Sequence, residues 1–251
     1  LPMFKLLDFN NQEISFKDLD NKAFWCAHGE RQEKAFINLF NKLKEEKIIN
    51  TDIIIEIHPE KISNPYHPDL LVNKNEIGDA KIKNSPLFMA NKYSVSPQFA
   101  LTIDLKDIFN YKKRLIELKQ DVHIFVWVKW QAHKMITNYN SYEVKEMGGI
   151  WRCQISKIVD FLKTNHVGIH WYKEQYRQPS TFDNDSDWGK ELINFEKRLI
   201  QNGIVKNITT KGFITKDNTS TRMPSGHSSC SYVLDLSNKD LFDQIYLNTV
   251  Q

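Results

Sequence analysis

An amphipathic helix is the first element that the hydrophobic pattern predicts. Phe36, Leu39, Phe40 and Leu43 recur at steps of three and four residues, and lysines and glutamates fill the positions between them. This period is typical of a helix that packs one face on a core. It predicts a helix over about residues 30–47.

Strand-like runs follow this helix. Residues 52–58, DIIIEIH, form a β-branched run that ends before Pro59. Residues 70–72 and 77–83 are two further runs of strand length, and the intervening NKNE suits a hairpin. The sequence therefore predicts three strands, of which the last two are antiparallel neighbours.

A second helix and a strongly apolar strand come next. The FALTI stretch at 99–103 alternates briefly, and Asp104 is expected to cap a helix whose apolar positions are Leu105, Ile108, Phe109, Leu115 and Leu118. Residues 121–130, DVHIFVWVKW, are the most apolar strand, which we expect to be covered on both faces. The order over 30–130 is thus helix, three strands, helix, strand.

The remainder of the chain is predicted to mix helices with a strand-rich tail. Helices are expected at about 153–164 and 187–202, the second ending at Gly203. In the tail, GIVKNITTKGFIT and CSYVLDL are strand-like and flank a polar loop, KDNTSTRMPSGHSS.

Together these elements predict an α/β fold, with a mixed central β-sheet flanked by helices and a C-terminal α+β elaboration. Residues 1–140 are expected to form the core with an N-terminal extension. Residues 141–251 would form the elaboration, either as a separate domain or as part of the same one, and 179–186 are the best candidate for a linker.

Composition narrows the class of protein. The 251 residues are 41% hydrophobic and 26% charged, which excludes a disordered tail and a disulfide miniprotein. The net charge of +3 is small, so an anionic partner would need a local basic surface. Cys26, Cys153 and Cys230 are widely separated, and no apolar run approaches the roughly 18 residues of a membrane span. Because the start also lacks the pattern of a secretion signal, we expect a soluble, cytoplasmic protein.

Three side chains could carry chemistry on the predicted hairpin. Asp79 and Lys81 lie two residues apart on one strand and therefore share a face. Asp69 follows Pro68 at the start of the preceding strand, so the hairpin can bring it beside them. Two carboxylates and an ammonium group suit Mg²⁺ bound with waters and phosphate oxygens, the lysine orienting or deprotonating an attacking water.

The D/E-x-K triplet alone is weak evidence, because it recurs in this chain, for example at Asp104–Lys106. Its strand context and the preceding Pro-Asp strengthen it, as does Glu33. Glu33 falls on the apolar stripe of the first helix, where an ionised carboxylate is costly unless it is paired or binds metal. The alternative is that Glu33 reaches out to water from the helix end.

A resemblance follows from these motifs. NPYHPD at 64–69 and EIGDAKIK at 76–83, within an αβββαβ order, resemble the PD-(D/E)xK nuclease superfamily, most of all type II restriction endonucleases. The likeness covers about residues 30–130.

The resemblance implies roles for individual residues. Asp69 and Asp79 would bind the metal ion, and Lys81 would activate water. Glu33 would match a helix-borne glutamate found in part of the superfamily. Gln98 is a weaker candidate, because Thr102 stands where RecB-like members have a tyrosine.

The activity implied is Mg²⁺-dependent hydrolysis of phosphodiester bonds in double-stranded DNA, as by a sequence-specific endonuclease of a restriction-modification system. The product would carry a 5′-phosphate. The alternative is a catalytically silent module that binds nucleic acid or protein on the same fold, in which Asp79 and Lys81 form an ordinary surface ion pair.

DNA recognition is expected from the polar loop of the tail. Lys216, Asn218, Arg222 and His227 are residue types that bond base edges or phosphates, and Arg222 is the best candidate for a base contact. The alternative is an ordinary solvated loop. Cutting at a palindromic site would favour a twofold homodimer.

Overall fold

The structure, a computed structural model, describes residues 4–14, 22–64, 67–165, 167–171, 205–209, 212–215, 220–221 and 230–249. The α-helices in these ranges are α1 (Lys22–Glu45), α2 (Leu105–Glu117) and α3 (Ile155–Thr164). The strands, in chain order, are β1 (Phe4–Asp8), β2 (Ile55–Ile57), β3 (Leu70–Val72), β4 (Glu76–Lys83), β5 (Ala100–Asp104), β6 (Val122–Lys129), β7 (Ala132–Thr137), β8 (Ser141–Glu143), β9 (Met147–Gln154), β10 (Ile169–Trp171), β11 (Val205–Thr209), β12 (Gly212–Thr215), β13 (Ser220–Thr221), β14 (Cys230–Asp235) and β15 (Asp243–Thr249).

The largest sheet is mixed. Its six strands run in the order β15-β9-β6-β4-β3-β2, in which β4 and β6 are parallel and the other neighbours are antiparallel. Within the described ranges, three smaller sheets have the orders β1-β7-β8, β10-β14-β5 and β11-β12-β13. The fold is therefore of the predicted mixed α/β class.

Helices cover both faces of the six-stranded sheet. On one face, Phe36 and Phe40 of α1 pack on Phe125 of β6, with ring centroids 6.0 Å apart in each pair. On the other face, α2 and α3 pack with β5 and β14 over the apolar side chains of β4 and β6. Val122 to Val126 are all buried, which confirms that β6 is covered on both faces. No helix in the described ranges has the length and apolarity needed to cross a membrane.

The first helix and the hairpin match their predictions with adjusted bounds. α1 begins earlier than position 30 and ends at Glu45, just before Lys47, whose backbone is left-handed with φ 55°. β3 and β4 are antiparallel, as predicted. β2 is shorter than the predicted strand, because the backbone N–H groups of Ile53 and Ile54 donate to side chains, those of Thr51 and Asn73.

The predicted cap of α2 is wrong in its bonding. Asp104 occupies the N-cap position, but its side chain makes no capping hydrogen bond. Instead, Ser231 Oγ on β14 donates to Asp104 Oδ1 over 2.6 Å. The Asp104 carboxylate thus bonds to a residue 127 positions away in the sequence and not to the backbone of α2, as the local sequence predicts.

Strands that the sequence did not predict complete the sheet. β9 and β15 lie after position 140 and belong to the same sheet as β2, β3, β4 and β6. β9 also includes residues 153–154, so α3 begins at Ile155 rather than at 153. The strand-rich tail is present as antiparallel β11 and β12, and β13 lies within the predicted polar loop. The helix expected at 187–202, with Gly203, and the linker at 179–186 lie outside the described residues.

A residue from another element caps α3. Asp121, just before β6, accepts hydrogen bonds through Oδ1 from the backbone N–H of Ser156 and through Oδ2 from Ser156 Oγ, over 3.1 and 2.5 Å. The Asp121 carboxylate thereby satisfies an N–H group in the first turn of α3 and places negative charge at the positive end of the helix. It also ties the start of β6 to the helix that covers it.

We expect Asp121→Ala to lower the free energy of unfolding by about 1–2 kcal/mol, because the first turn of α3 loses its acceptor and its favourable charge. Urea denaturation followed by circular dichroism measures this. Asp121→Asn keeps an oxygen acceptor and should lose less than the alanine variant. Equal losses in the two variants would contradict the capping role.

Candidate functional site

The strand register places Asp69 opposite Asp79. Leu70 pairs with Gly78 in the β3–β4 ladder, so Asp69, the residue before β3, continues this register opposite Asp79 of β4. On the other side, the backbone N–H of His58 donates to the carbonyl oxygen of Asp69 over 2.9 Å, which continues the β2–β3 ladder. Directly opposite residues share a face, with Cβ atoms about 5 Å apart. Both carboxylates therefore belong to the face that α2 covers.

Gly78 allows the close approach of β4 to its neighbours beside this pair. A Cβ atom at Gly78 would lie 2.8 Å from Cγ2 of Val72 and 3.2 Å from the carbonyl oxygen of His123. Any larger residue would push β4 away from a flanking strand. The glycine thus preserves the strand spacing at which Asp69 and Asp79 meet.

Lys81 is the centre of the charged cluster on this face. Its Nζ lies 2.8 Å from Asp79 Oδ2, 2.6 Å from Asp107 Oδ2 and 3.4 Å from the Tyr111 hydroxyl. Burial disfavours the charged ammonium, but the carboxylates of Asp107 and Asp79 outweigh burial and hold the pKa of Lys81 well above its usual value. Lys81 is therefore charged at neutral pH.

Asp79 is the most constrained acid of the cluster. It is 5% exposed, and its Oδ2 is buried without hydrogen-bond geometry to any donor in the described part of the chain. The contact of this oxygen with Lys81 is thus ionic. Burial raises the pKa of Asp79, Lys81 opposes the rise, and the charge of Asp69 adds to it. The pair is not the surface ion pair that the silent-module alternative expects, because Asp79 is almost fully covered.

Asp69 has its own ammonium partner. Lys61, on the short 3₁₀ helix Pro59–Ile62, pairs with Asp69 Oδ1 and donates to the carbonyl oxygen of His67 over 3.3 Å. Burial lowers the pKa of Lys61, but the hydrogen bond and charge of Asp69 outweigh it, so the pKa is raised. The charges of Glu33 and Asp79 contribute in the same direction.

The other predicted site residues differ in placement. Glu33 is half-buried on α1, and its charge acts on Lys61. Gln98 serves a loop contact: its side chain donates to the carbonyl oxygen of Lys145 over 3.0 Å and accepts from the N–H of Lys145 over 2.8 Å. The structure thus brings Asp69, Asp79 and Lys81 together and places Glu33 near their edge. The predicted DNA contacts Lys216, Asn218, Arg222 and His227 lie outside the described residues.

Sequence reasoning missed three members of the cluster. Asp107 and Tyr111 lie four residues apart on one face of α2, which is a spacing that the sequence displays. The sequence does not reveal that both side chains contact Lys81, which lies on another element. Lys61 offered no signal of its own, because a lysine after Pro59 is ordinary in a surface turn.

The acidic side chains of the cluster outnumber its lysines. The cluster has a formal excess of two negative charges, because its four acids outnumber its two lysines. The acids are Glu33, Asp69, Asp79 and Asp107, and the lysines are Lys61 and Lys81. Among the described residues, no three His, Cys, Asp or Glu side chains are grouped to hold a metal ion. Mg²⁺ commonly binds through only one or two carboxylates and completes its shell with water and substrate phosphates, and Asp69 and Asp79 are two carboxylates on one face.

Comparison with known proteins gives no match among family models, curated proteins or solved structures. A function for this chain is therefore sought in the chemistry of the cluster itself.

Asp79→Asn is expected to raise the free energy of unfolding of the metal-free protein at pH 7. Burial holds the pKa of Asp79 above its value of 3.8 in the unfolded chain. The folded protein thus binds more protons than the unfolded chain, and stability falls as the pH rises through this window. Asparagine cannot ionise, so its advantage should be greatest near neutral pH and disappear below about pH 3.

Urea unfolding in EDTA at several pH values measures this difference. Asp160→Asn is the matched control, because Asp160 is exposed and pairs only with Lys163 in the described contacts. It should change stability little at any pH. An Asp79→Asn protein less stable than wild type at pH 7 would contradict the assigned cost of burying the charge.

Proposed function

We propose that this protein is a Mg²⁺-dependent endonuclease that hydrolyses phosphodiester bonds of double-stranded DNA. The supporting observation is the pairing of two buried carboxylates, Asp69 and Asp79, beside a charged lysine. One oxygen of this pair, Asp79 Oδ2, is buried, and its partner is the Lys81 ammonium group 2.8 Å away. Two buried carboxylates in a cluster with a formal excess of negative charge favour a further cation.

Asp69 and Asp79 would hold the metal ion in this proposal. A divalent cation, when bound, neutralises charge on the phosphoryl oxygens and on the leaving 3′ oxygen. Asp79 lies on β4 and Asp69 directly precedes β3, where its carbonyl oxygen accepts a hydrogen bond from the backbone N–H of His58, so backbone hydrogen bonds limit the movement of both. That rigidity favours a catalytic arrangement over a loosely held ion.

Lys81 would orient the attacking water and stabilise negative charge on the phosphoryl group. Its ammonium group is kept charged by Asp79 and Asp107, and a charged lysine donates hydrogen bonds but cannot accept a proton. The ionic surroundings therefore favour orientation of water over its deprotonation by Lys81. Asp107 and Tyr111 would fix the position of Nζ from α2.

The proposal also includes the fold family, the DNA contacts, the homodimer and the location expected from the sequence. The elements α1, β2, β3, β4, α2 and β6 follow the expected αβββαβ order, with β5 inserted before α2. This order supports a restriction-endonuclease-like core. Sequence-specific cutting through Arg222 and its neighbours, action as a homodimer and a cytoplasmic location complete the proposal. The buried, free thiol of Cys153 is compatible with that location.

A catalytically silent module that binds nucleic acid or protein is the second candidate. Each carboxylate already has an ammonium partner, Lys61 for Asp69 and Lys81 for Asp79. Asp69 and Asp79 are only 6% and 5% exposed. In this alternative the cluster is a structural ion-pair network that takes no metal.

Incubation with plasmid DNA, with and without Mg²⁺, tests the proposal. We expect cleavage only with Mg²⁺, and we expect Asp69→Asn, Asp79→Asn and Lys81→Met each to reduce its rate by about 100-fold or more, because each removes a charge at the reacting phosphate. Gel electrophoresis measures the rate, and circular dichroism checks folding.

The exposed ion pair of Asp160 and Lys163 supplies matched controls. Asp160→Asn and Lys163→Met make the same chemical changes on α3 and should cut at the wild-type rate. Discrete fragments would support a restriction enzyme, and a smear would support a less specific nuclease. DNA left intact by the wild-type protein would favour the silent module, and cutting by a folded Asp79→Asn protein would reject the site.

A further inference from the structure

The two lysines of the cluster are held very differently. Lys81 lies on β4 and is 19% exposed, with Asp79, Asp107 and Tyr111 around its Nζ. Lys61 lies on a four-residue 3₁₀ helix and is 24% exposed, and its side chain bonds to Asp69 and to the carbonyl oxygen of His67. Lys81 is fixed from two elements, whereas Lys61 reaches its acid from one short turn.

Lys61 also contacts a carboxylate that would bind the metal ion. Its ammonium contacts Oδ1 of Asp69, and Asp79 stands opposite Asp69 on the next strand. A cation shared by the two carboxylates would compete for the same lone pairs. It would also repel the ammonium group at short range, where charges interact strongly.

Lys61 is able to leave. Its side chain is flexible, with four methylene groups, and its partial exposure gives the ammonium group a route to water. Departure would sacrifice one ion pair and one hydrogen bond to a backbone carbonyl. Lys81 could not leave as easily, because two carboxylates and a buried tyrosine surround it.

We infer that Lys61 is a built-in counter-ion of Asp69 that a divalent cation must displace. This inference rests on the proposed metal site. Lys61 neutralises the charge of Asp69 in the metal-free protein and lowers the apparent affinity for metal, because only the fraction of molecules in which the Lys61–Asp69 pair is open can bind. If about a tenth of the molecules are open, removing Lys61 increases the affinity about tenfold.

Lys61→Met and Lys61→Arg test the inference in opposite directions. Isothermal titration with Mg²⁺ alone measures affinity, and thermal unfolding in EDTA and in saturating Mg²⁺ measures stability. The methionine variant should bind Mg²⁺ about tenfold more tightly. It should also melt below wild type in EDTA and recover much of that difference with Mg²⁺. Lys61→Arg should bind Mg²⁺ more weakly than wild type, because a guanidinium can hold a carboxylate through two hydrogen bonds.

Two controls separate the possible failures. Lys163→Met, at an exposed pair, should match wild type in both measurements. If wild type binds Mg²⁺ through Asp69, shown by loss of binding in Asp69→Asn, but neither Lys61 variant shifts the affinity in its expected direction, the inference falls and the proposed function stands. If neither wild type nor the folded Lys61 variants bind Mg²⁺, the metal site itself falls, and the inference with it. Should the methionine variant not fold, the arginine variant decides alone.

Discussion

The pairing of β3 with β4 sets two carboxylates opposite each other in a nearly dry environment, and much of the site follows from this constraint. Asp69 and Asp79 face the same side of the sheet. Two negative charges this close, away from water, require positive charge nearby. Lys61 and Lys81 meet that requirement, and each comes from a different part of the chain. The ladder hydrogen bonds fix the strands, so the two acids cannot separate. Their repulsion is therefore reduced by nearby cations.

The parallel neighbour of β4 explains how the second layer of the site arises. Parallel strands need a crossover connection, and the segment between β4 and β6 includes β5 and α2. That crossover brings Asp107 and Tyr111 over the face that carries Lys81. A direct hairpin between β4 and β6 would have left this face without them. The connection that builds the sheet therefore also holds the ammonium group that we propose acts on the phosphate.

Local patterns were sufficient to predict the parts of the site that one hairpin contains. The period of two places Asp79 and Lys81 on one face, and the NKNE turn places Asp69 across from them. The contacts that were missed join elements distant in sequence: Asp107 to Lys81 across 26 positions and Ser231 to Asp104 across 127. β15 was missed for a similar reason, since its partner β9 lies far back in the chain. Such pairings depend on topology, which residue spacing in one sequence does not determine.

The two candidate functions differ in one physical quantity, the competition between an ammonium group and a divalent cation for Asp69. In a silent module, the Lys61 ammonium group stays bound to Asp69, and the cluster is a closed network of ion pairs. In a nuclease, the metal ion would displace the ammonium group from Asp69, because it carries two charges and phosphate oxygens complete its coordination shell. In a nuclease, bound DNA would favour the metal ion further. Its phosphates add negative charge beside the carboxylates, and this charge attracts a divalent cation more strongly than an ammonium group. Metal and substrate would then bind cooperatively, and each would increase the affinity for the other by the same factor.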